Sequence, residues 1–441
     1  MGQAYGYLLL PPGLSGRRGA VRKPVTALVV LYNSRDLLPE LAGTLRELSN
    51  LCDVVIVDSA STDGSADMAE SMVPWARTVR MESNRGFGAA NNRGLALVKT
   101  PFVLLLNADA AVDSAELSGM LGFLQRRRDV AGVQPLLRLW EWPSAIAGSG
   151  ASMTRYGEGY DLRYMHLERG IPNPAPLEVP GVCAAVSLYR LKSLREADGF
   201  DESIFMYFED VDLSLRLGAA GWRFFVLPRY GALHRSGASS RREQARKWEL
   251  ESSIRLCRRF RGTRRGLLPG HWWRREVRTT LSHLIRGRSP GWRIRALYEQ
   301  IRLPVFPTRL TPRQRALLSV RPMDHPWPRG DPPGPVDSGG NLLFGPGVAK
   351  TRKGLELRAP WCGFLPQVPG RLNVGFGKLR EYATGTVCTD SEILRRFHLC
   401  PDAAASLSID IPADCERFYL AFDRTGQLPA VGRMTVDYQT I

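Results

Sequence analysis

The sequence is poor in lysine, cysteine and long apolar runs, and each shortage excludes something. Only 7 of the 60 basic residues are lysine. Codon usage contributes to an arginine bias of this kind, so it carries little functional weight. The seven cysteines (Cys52, Cys183, Cys257, Cys362, Cys388, Cys400 and Cys415) are odd in number, irregularly spaced and free of any CxxC. That pattern speaks against a disulfide scaffold or a zinc site and for a reducing compartment. No stretch approaches the roughly 20 apolar residues of a membrane span. The three leucines before Pro11-Pro12 are too few for the apolar region of a signal peptide. The expectation is a cytoplasmic protein, with any membrane contact peripheral and on the inner face.

What is present is enough for two or three domains: 441 residues, 44% hydrophobic and 23% charged. The net charge of +17 is not spread evenly. Residues 241–330 hold 23 basic and 6 acidic side chains, whereas 1–240 and 331–441 are each balanced. A protein that coats nucleic acid would not confine its charge in this way, which ranks nucleic-acid binding last. Trp248, Trp272, Trp273 and Trp292 lie among the arginines, a mixture that suits a helix in an anionic membrane interface. The alternative is a solvated helical tail packed on its neighbouring domain.

Along the chain, VTALVVL (25–31), VVIVD (54–58), a short run at 78–82 and FVLLLN (102–107) read as strands. Helical spacing at 36–49, 65–72 and 88–98 separates them. This alternation predicts an α/β domain on a parallel sheet, with ligands bound at the C-terminal strand ends. Those ends read Tyr32-Asn33, Asp58-Ser59 and Asn107-Ala108-Asp109. Helices are expected at 243–260, 271–286 and 291–302, and Pro and Gly crowd 322–347. Short strand-like runs follow, with one weaker helical pattern near 390–397, and predict a C-terminal antiparallel β-sandwich. The expected division is a leader at 1–24, the α/β domain at 25–240, a basic helical segment and linker at 241–336, and the β-sandwich at 337–441.

Six segments occur in order: VLYNS (30–34), VDSASTDGSAD (57–67), NRGFGAANNRG (84–94), LLLNAD (104–109), GFDESIFMYFEDVDLSLRL (199–217) and GW…P…LHRSG (221–237). The series resembles the inverting family 2 glycosyltransferases of the GT-A fold, and their bacterial rhamnosyltransferase-like members most of all. The resemblance implies a nucleotide-sugar donor, dTDP- or UDP-linked, a divalent metal (Mn2+ or Mg2+) and single-displacement transfer of a sugar, with rhamnose the leading candidate. The acceptor it implies is a hydroxyl of a cell-surface glycan or lipid-linked carrier.

Residue by residue, the resemblance places the metal at Asp109 and His234. A hard cation suits a leaving diphosphate, and neutral imidazole suits manganese. The family's Asp-x-Asp reads here as Asn107-Ala108-Asp109, so one carboxylate is missing. Read alone, Asp109 is a turn residue after a strand and His234 an ordinary polar histidine. The general base falls on Asp210, with Glu209 beside it, at the start of a helix where a carboxylate is expected to stay ionised. Donor contacts are expected from Tyr32, Asn33, Asp58, Asn84, Gly86, Asn91, Asn92 and Asn107, with Gly86 allowing the backbone close to the nucleotide. Ser61 and Asp63 read as caps of the helix from 65. A catalytically inactive glycan-binding protein on the same fold is the rival reading.

Overall fold

The seven residues Val25–Leu31 (β1) are apolar at nearly every position, and a strand of that kind is stable only when both faces are covered. The computed structural model describes residues 23–140, 142–164, 175–235, 242–261, 268–285 and 291–319, together with strands between 334 and 440. In it, β1 pairs in parallel register with Cys52–Asp58 (β2) on one side, and Phe102–Asn107 (β4) pairs on the other. Arg77–Arg80 (β3) extends the sheet beyond β2. The helices Leu38–Glu47 (α1), Ser65–Met72 (α2) and Phe87–Leu95 (α3) alternate with these strands. All lie within a few residues of the positions read from the sequence.

The far half of the sheet is mixed rather than wholly parallel. After Ala110–Ala111 (β5) and the helix Ser114–Arg126 (α4), Val130–Leu139 (β6) forms an inner strand. Ile146–Gly148 (β7) pairs with it, and Ala151–Met153 (β8) and Gly159–Asp161 (β9) form a separate ribbon. Leu177–Val179 (β10) is an edge strand, and Val186–Arg190 (β11) inserts antiparallel between β4 and β6. The helices Leu191–Glu196 (α5) and Glu209–Ala219 (α6) follow, then the long strand Arg223–His234 (β12), parallel to β6. The order across the sheet is β10-β12-β6-β11-β4-β1-β2-β3.

Each face of the sheet carries its own core. Leu38, Leu41 and Leu45 of α1 and Leu117, Met120 and Leu124 of α4 pack with Ala27, Val29 and Leu31. On the opposite face Leu28, Val55 and Val57 meet Ala90 of α3 and Leu213 and Leu217 of α6. Gly94 lets α3 lie close: a Cβ there would stand 2.2 Å from Leu28 Cδ1.

The basic segment folds into helices Arg242–Phe260 (α7), Gly270–Ile285 (α8), Gly291–Arg302 (α9) and Pro312–Ser319 (α10). Much of the charge on α7 faces inward. Arg255, Arg258 and Arg259 are buried. Arg255 Nε donates to Asp201 Oδ2 at 2.9 Å, and Arg259 Nη2 donates to the same oxygen at 2.6 Å. Arg259 Nη1 also donates to Asp212, which takes a further bond from Arg216 Nε at 2.7 Å. Burial opposes ionisation of Asp201, yet Ser203 and the two guanidiniums hold its carboxyl well below the usual range. Arg258 donates to the carbonyls of Gln300 and Leu303. Two of the arginines that suggested a lipid surface, Arg255 and Arg259, are therefore cross-links into the α/β domain, and a third, Arg258, ties α7 to the end of α9.

Beyond 334 the described strands pair antiparallel in two sheets; Gly370–Phe376, for example, lies between Ala405–Ile411 and Met434–Thr440. The helical pattern near 390–397 is instead a strand, Ile393–Leu399, paired with Ala383–Cys388. Strand pairing overrides a short run of good helix formers there. The expected leader up to residue 22 and most of the Pro/Gly-rich linker lie outside the described residues.

Removing one partner from a buried ion network strands the others. Arg259→Gln is expected to lower unfolding stability by about 3 kcal/mol in urea melts. A change below about 1 kcal/mol, the scale of an exposed pair, would mean the network is not holding α7 in place.

Candidate functional site

The parallel strands β1, β2 and β4 end side by side, so the polar residues that follow them share one edge of the sheet. After β1, Tyr32 is half exposed and Asn33 adopts a left-handed φ of 49°. Asn33 Oδ1 accepts from Thr62 N at 2.9 Å, and Asn33 N donates to Ser61 Oγ at 2.9 Å. Ser61 thus braces the first loop rather than capping a helix. Asp63 does serve the helix start, accepting from Ser65 N at 3.0 Å. Asp58, at the end of β2, accepts from Ser61 N through Oδ2, while its buried Oδ1 has no partner. That leaves a carboxylate oxygen available to an N–H of a ligand.

The NRGFGAANN segment is tied largely to the protein itself. Asn84 Oδ1 accepts from Gly86 N at 2.9 Å and from Ser59 Oγ at 3.2 Å. Gly86 has φ 94°, and a Cβ there would stand 2.2 Å from the carbonyl oxygen of Phe205. The close approach this glycine allows is to the 205 backbone, which also accepts from Phe87 N at 3.1 Å. Asn91 is buried and donates to Phe87 O within α3. Asn92 clamps the loop before the acidic motif: its Oδ1 accepts from Phe200 N at 2.8 Å, and its Nδ2 donates to Phe200 O at 2.9 Å. Within this segment Asn84, Asn91 and Asn92 each bond to the protein's own backbone.

Asp109 and His234 are distant in sequence but adjacent in space. Antiparallel pairing of β5 with β12 sets His234 opposite Ala110. His234 Nε2 lies 3.4 Å from Asp109 Oδ1. Burial disfavours the charged form of Asp109, but the hydrogen bond and charge of His234 outweigh it and keep the carboxyl below its usual range. Asn107 Oδ1, two residues away, is buried and has no partner. Among the described residues no three His, Cys, Asp or Glu gather as a metal site. The groups that could hold a cation are therefore Asp109 and His234, with the unpartnered amide oxygen of Asn107, a set that would suit a hard cation completing its shell with ligand oxygens.

The acidic pair opens α6. Tyr207 and Phe208 both have φ near 67°, two successive non-glycine residues in left-handed conformation, each costing on the order of 1–3 kcal/mol. They turn the chain so that Glu209 and Asp210 stand at the helix start. Asp210 accepts from Ala184 N at 3.0 Å and from Val211 N at 2.7 Å. The carbonyl of the next residue, Ala185, accepts from Asn107 N at 2.8 Å. Ala184-Ala185 is therefore a strap between the Asn107 loop and the acidic pair. The sequence reading passed over it; the small residues of GVCAA (181–185) just before a strand were its only signal.

The acids differ from expectation in one respect. The helix N-terminus does not simply keep Asp210 ionised. Removal from water raises the carboxyls of both Asp210 and Glu209, and their mutual repulsion adds to the rise at Glu209. Asp210 has two backbone donors, whereas Glu209 Oε2 is buried without a partner. The single charge of the pair accordingly falls on Asp210, and Glu209 keeps the proton.

This arrangement has a pH signature. Glu209 is lifted from 4.5 to about 8. An unfolded chain releases that proton at the lower value, while the folded chain keeps it until the higher one. Between the two the folded state binds more protons, so stability falls as pH rises across that window. Glu209→Gln is expected to flatten this slope, melting above wild type at pH 8 and converging with it near pH 4.5. Parallel melting curves for the two proteins across the window would contradict the assignment.

Residues 26–197 match the family model for glycosyl transferase family 2. The N-acetylglucosaminyl-diphospho-decaprenol L-rhamnosyltransferase of Mycobacterium tuberculosis is 28% identical over 263 residues, covering 54% of this chain and 81% of that protein. Rhamnosyltransferase WbbL of Escherichia coli is 28% identical over 192 residues, covering 40% and 71%. Among solved structures, the mannosyltransferase PcManGT of Pyrobaculum calidifontis, in complex with GDP-Man and Mn2+, aligns at 16% identity and a TM-score of 0.41, covering 68% of this chain and 84% of that one. By its six ordered motifs and the family match, this chain carries a glycosyl transferase family 2 domain with rhamnosyltransferases among its homologues.

Proposed function

We propose that the chain is an inverting, metal-assisted hexosyltransferase that moves a sugar from a dTDP- or UDP-linked donor to a hydroxyl of a lipid-linked or cell-surface glycan. The observation that carries this reading is the strap joining Asn107, and with it Asp109 and His234, to Asp210. It ties the loop that carries Asn107 and Asp109 to the start of α6, where Asp210 stands, which supports a diphosphate-side cluster and a proton acceptor acting on one bound donor. Rhamnose as the sugar and a polyprenyl-diphosphate glycan as the acceptor are supported by the relatives' names.

In this reading Asp109, His234 and Asn107 hold a divalent cation, manganese or magnesium. When bound, it neutralises charge on the leaving diphosphate. Asp58 takes an N–H of the base through its unpartnered oxygen, Tyr32 and Asn33 border the base, and Asn84 and Gly86 shape the loop beside it. Asp210 accepts the proton of the attacking hydroxyl as the acceptor oxygen bonds to the anomeric carbon and the bond to the diphosphate breaks. Attack from the face opposite the leaving group inverts the configuration. Glu209, holding its proton, leaves Asp210 as the only charged acid at that point. The division proposed from the sequence is retained, with 25–240 as the transferase domain and 337–441 as a β-sandwich. The protein would work at the cytoplasmic face of the membrane. Among the described residues no helix is long and apolar enough to cross one.

Two substitutions test the reading. With Asp109→Asn, the tightening of nucleoside-diphosphate binding by Mn2+, measured by calorimetry, is expected to disappear while the fold persists. Unchanged binding would remove Asp109 from the site. Asp210→Asn is expected to keep donor binding and lose transfer by about 10²–10⁴-fold. A wild type that neither binds nucleotide sugars nor hydrolyses them with Mn2+ would favour the inactive glycan-binding alternative.

A further inference from the structure

Helices α8 and α9 leave apolar stripes uncovered. The inner side of α8 is spoken for: Trp272 is buried against Leu250, Ile254 and Ala296, and Glu276 is buried. Glu276 accepts two bonds from Arg293 of α9, at 2.9 and 2.8 Å, which fix the two helices to each other. On the outer side of α8, Trp273, Val277, Leu281 and Leu284 recur at i, i+4, i+8 and i+11, one continuous stripe. Ile294, Tyr298 and Ile301 repeat at i, i+4 and i+7 on α9. Val277, Leu281, Leu284, Ile294 and Tyr298 each keep more than half of their surface exposed, and Phe306, just past α9, keeps 80%.

Charge says what covers this surface. Arg274 and Arg278 are exposed beside the α8 stripe, and Arg295 and Arg302 beside that of α9. The only acid within α8 is the buried Glu276, and the only acid within α9 is Glu299, which is paired with Arg295. An apolar stripe with Trp and Tyr, edged by guanidinium and nearly free of carboxylate, complements a bilayer whose core is apolar and whose headgroups are anionic. We infer that the outer faces of α8 and α9 dock in the interface of an anionic membrane. The inward-facing arginines of α7 take no part. The inference is separate from the transfer reaction and does not depend on it.

Co-sedimentation of the full chain with phosphatidylcholine vesicles, with and without phosphatidylglycerol, tests it. Wild type is expected to bind the anionic vesicles, and more weakly as salt rises. Leu281→Asp with Leu284→Asp is expected to weaken binding about tenfold or more at every salt concentration, with the circular dichroism spectrum unchanged. Arg274→Gln with Arg278→Gln is expected to lower the salt dependence and retain residual binding. Absence of vesicle binding, or binding unaltered by the two aspartates, overturns the inference. So does a dimer, seen by sedimentation velocity, that the aspartates dissociate while vesicles are ignored; that result gives the face to a second copy of the chain.

Discussion

Two backbone groups of adjacent residues, the N–H of Ala184 and the carbonyl of Ala185, fix the geometry of the whole candidate site. One bonds the acid that opens α6, and the other bonds the loop at the end of β4. The two groups lie on adjacent residues of one short backbone stretch, so both halves of the site are bonded to the same segment, which β11 holds where it enters the sheet. The strap in turn depends on β11 entering the sheet antiparallel to β4, because that pairing brings residues 184–185 to the ligand edge. The mixed sheet is therefore what lets an acid from the second half of the domain face the strand ends of the first.

Much of the frame was legible because its signals are local. β1, β2 and β4 are unbroken apolar runs, and Asp58 and Asn107 stand out as polar residues at the places where those runs stop. The proximity of Asp109 and His234 came from motif resemblance and has no local signal, since it arises from pairing between β5 and β12. The least legible features are those that depend on a distant backbone. Gly86 reads as a ligand-side glycine until Phe205 is found against it. Asn91 and Asn92 read as donors to a nucleotide, and nothing local in the sequence shows that they also bond within α3 and to Phe200.

Arginine was the most ambiguous letter in the chain, because one composition served two environments. On α7 it is desolvated and paired with Asp201 and Asp212, where loss of a partner is costly. On the outer faces of α8 and α9, at Arg274, Arg278, Arg295 and Arg302, it edges exposed apolar side chains, where it keeps its water and is screened by salt. Net charge summed over 241–330 averages the two. What separates them is the position of carboxylates elsewhere in the chain, above all Asp201 and Asp212, which lie in the motif region rather than in the basic segment.

The ion network also bears on where the transferase unit stops. A polypeptide cut after residue 240 would retain every motif of the family and lose Arg255 and Arg259, exposing Asp201 to water and leaving Asp212 with Arg216 as its remaining guanidinium. Arg258 extends the dependence to the carbonyls of Gln300 and Leu303, and Gln314 Nε2 adds a bond to Leu215 O within α6 at 3.0 Å. Gln314 also fills the space that Gly218 leaves. The bonds that hold Asp201, Asp212 and α6 in place thus reach from α7 to α10, well past residue 240, and a chain trimmed at the motif limits would leave Asp201 without either of its guanidinium partners.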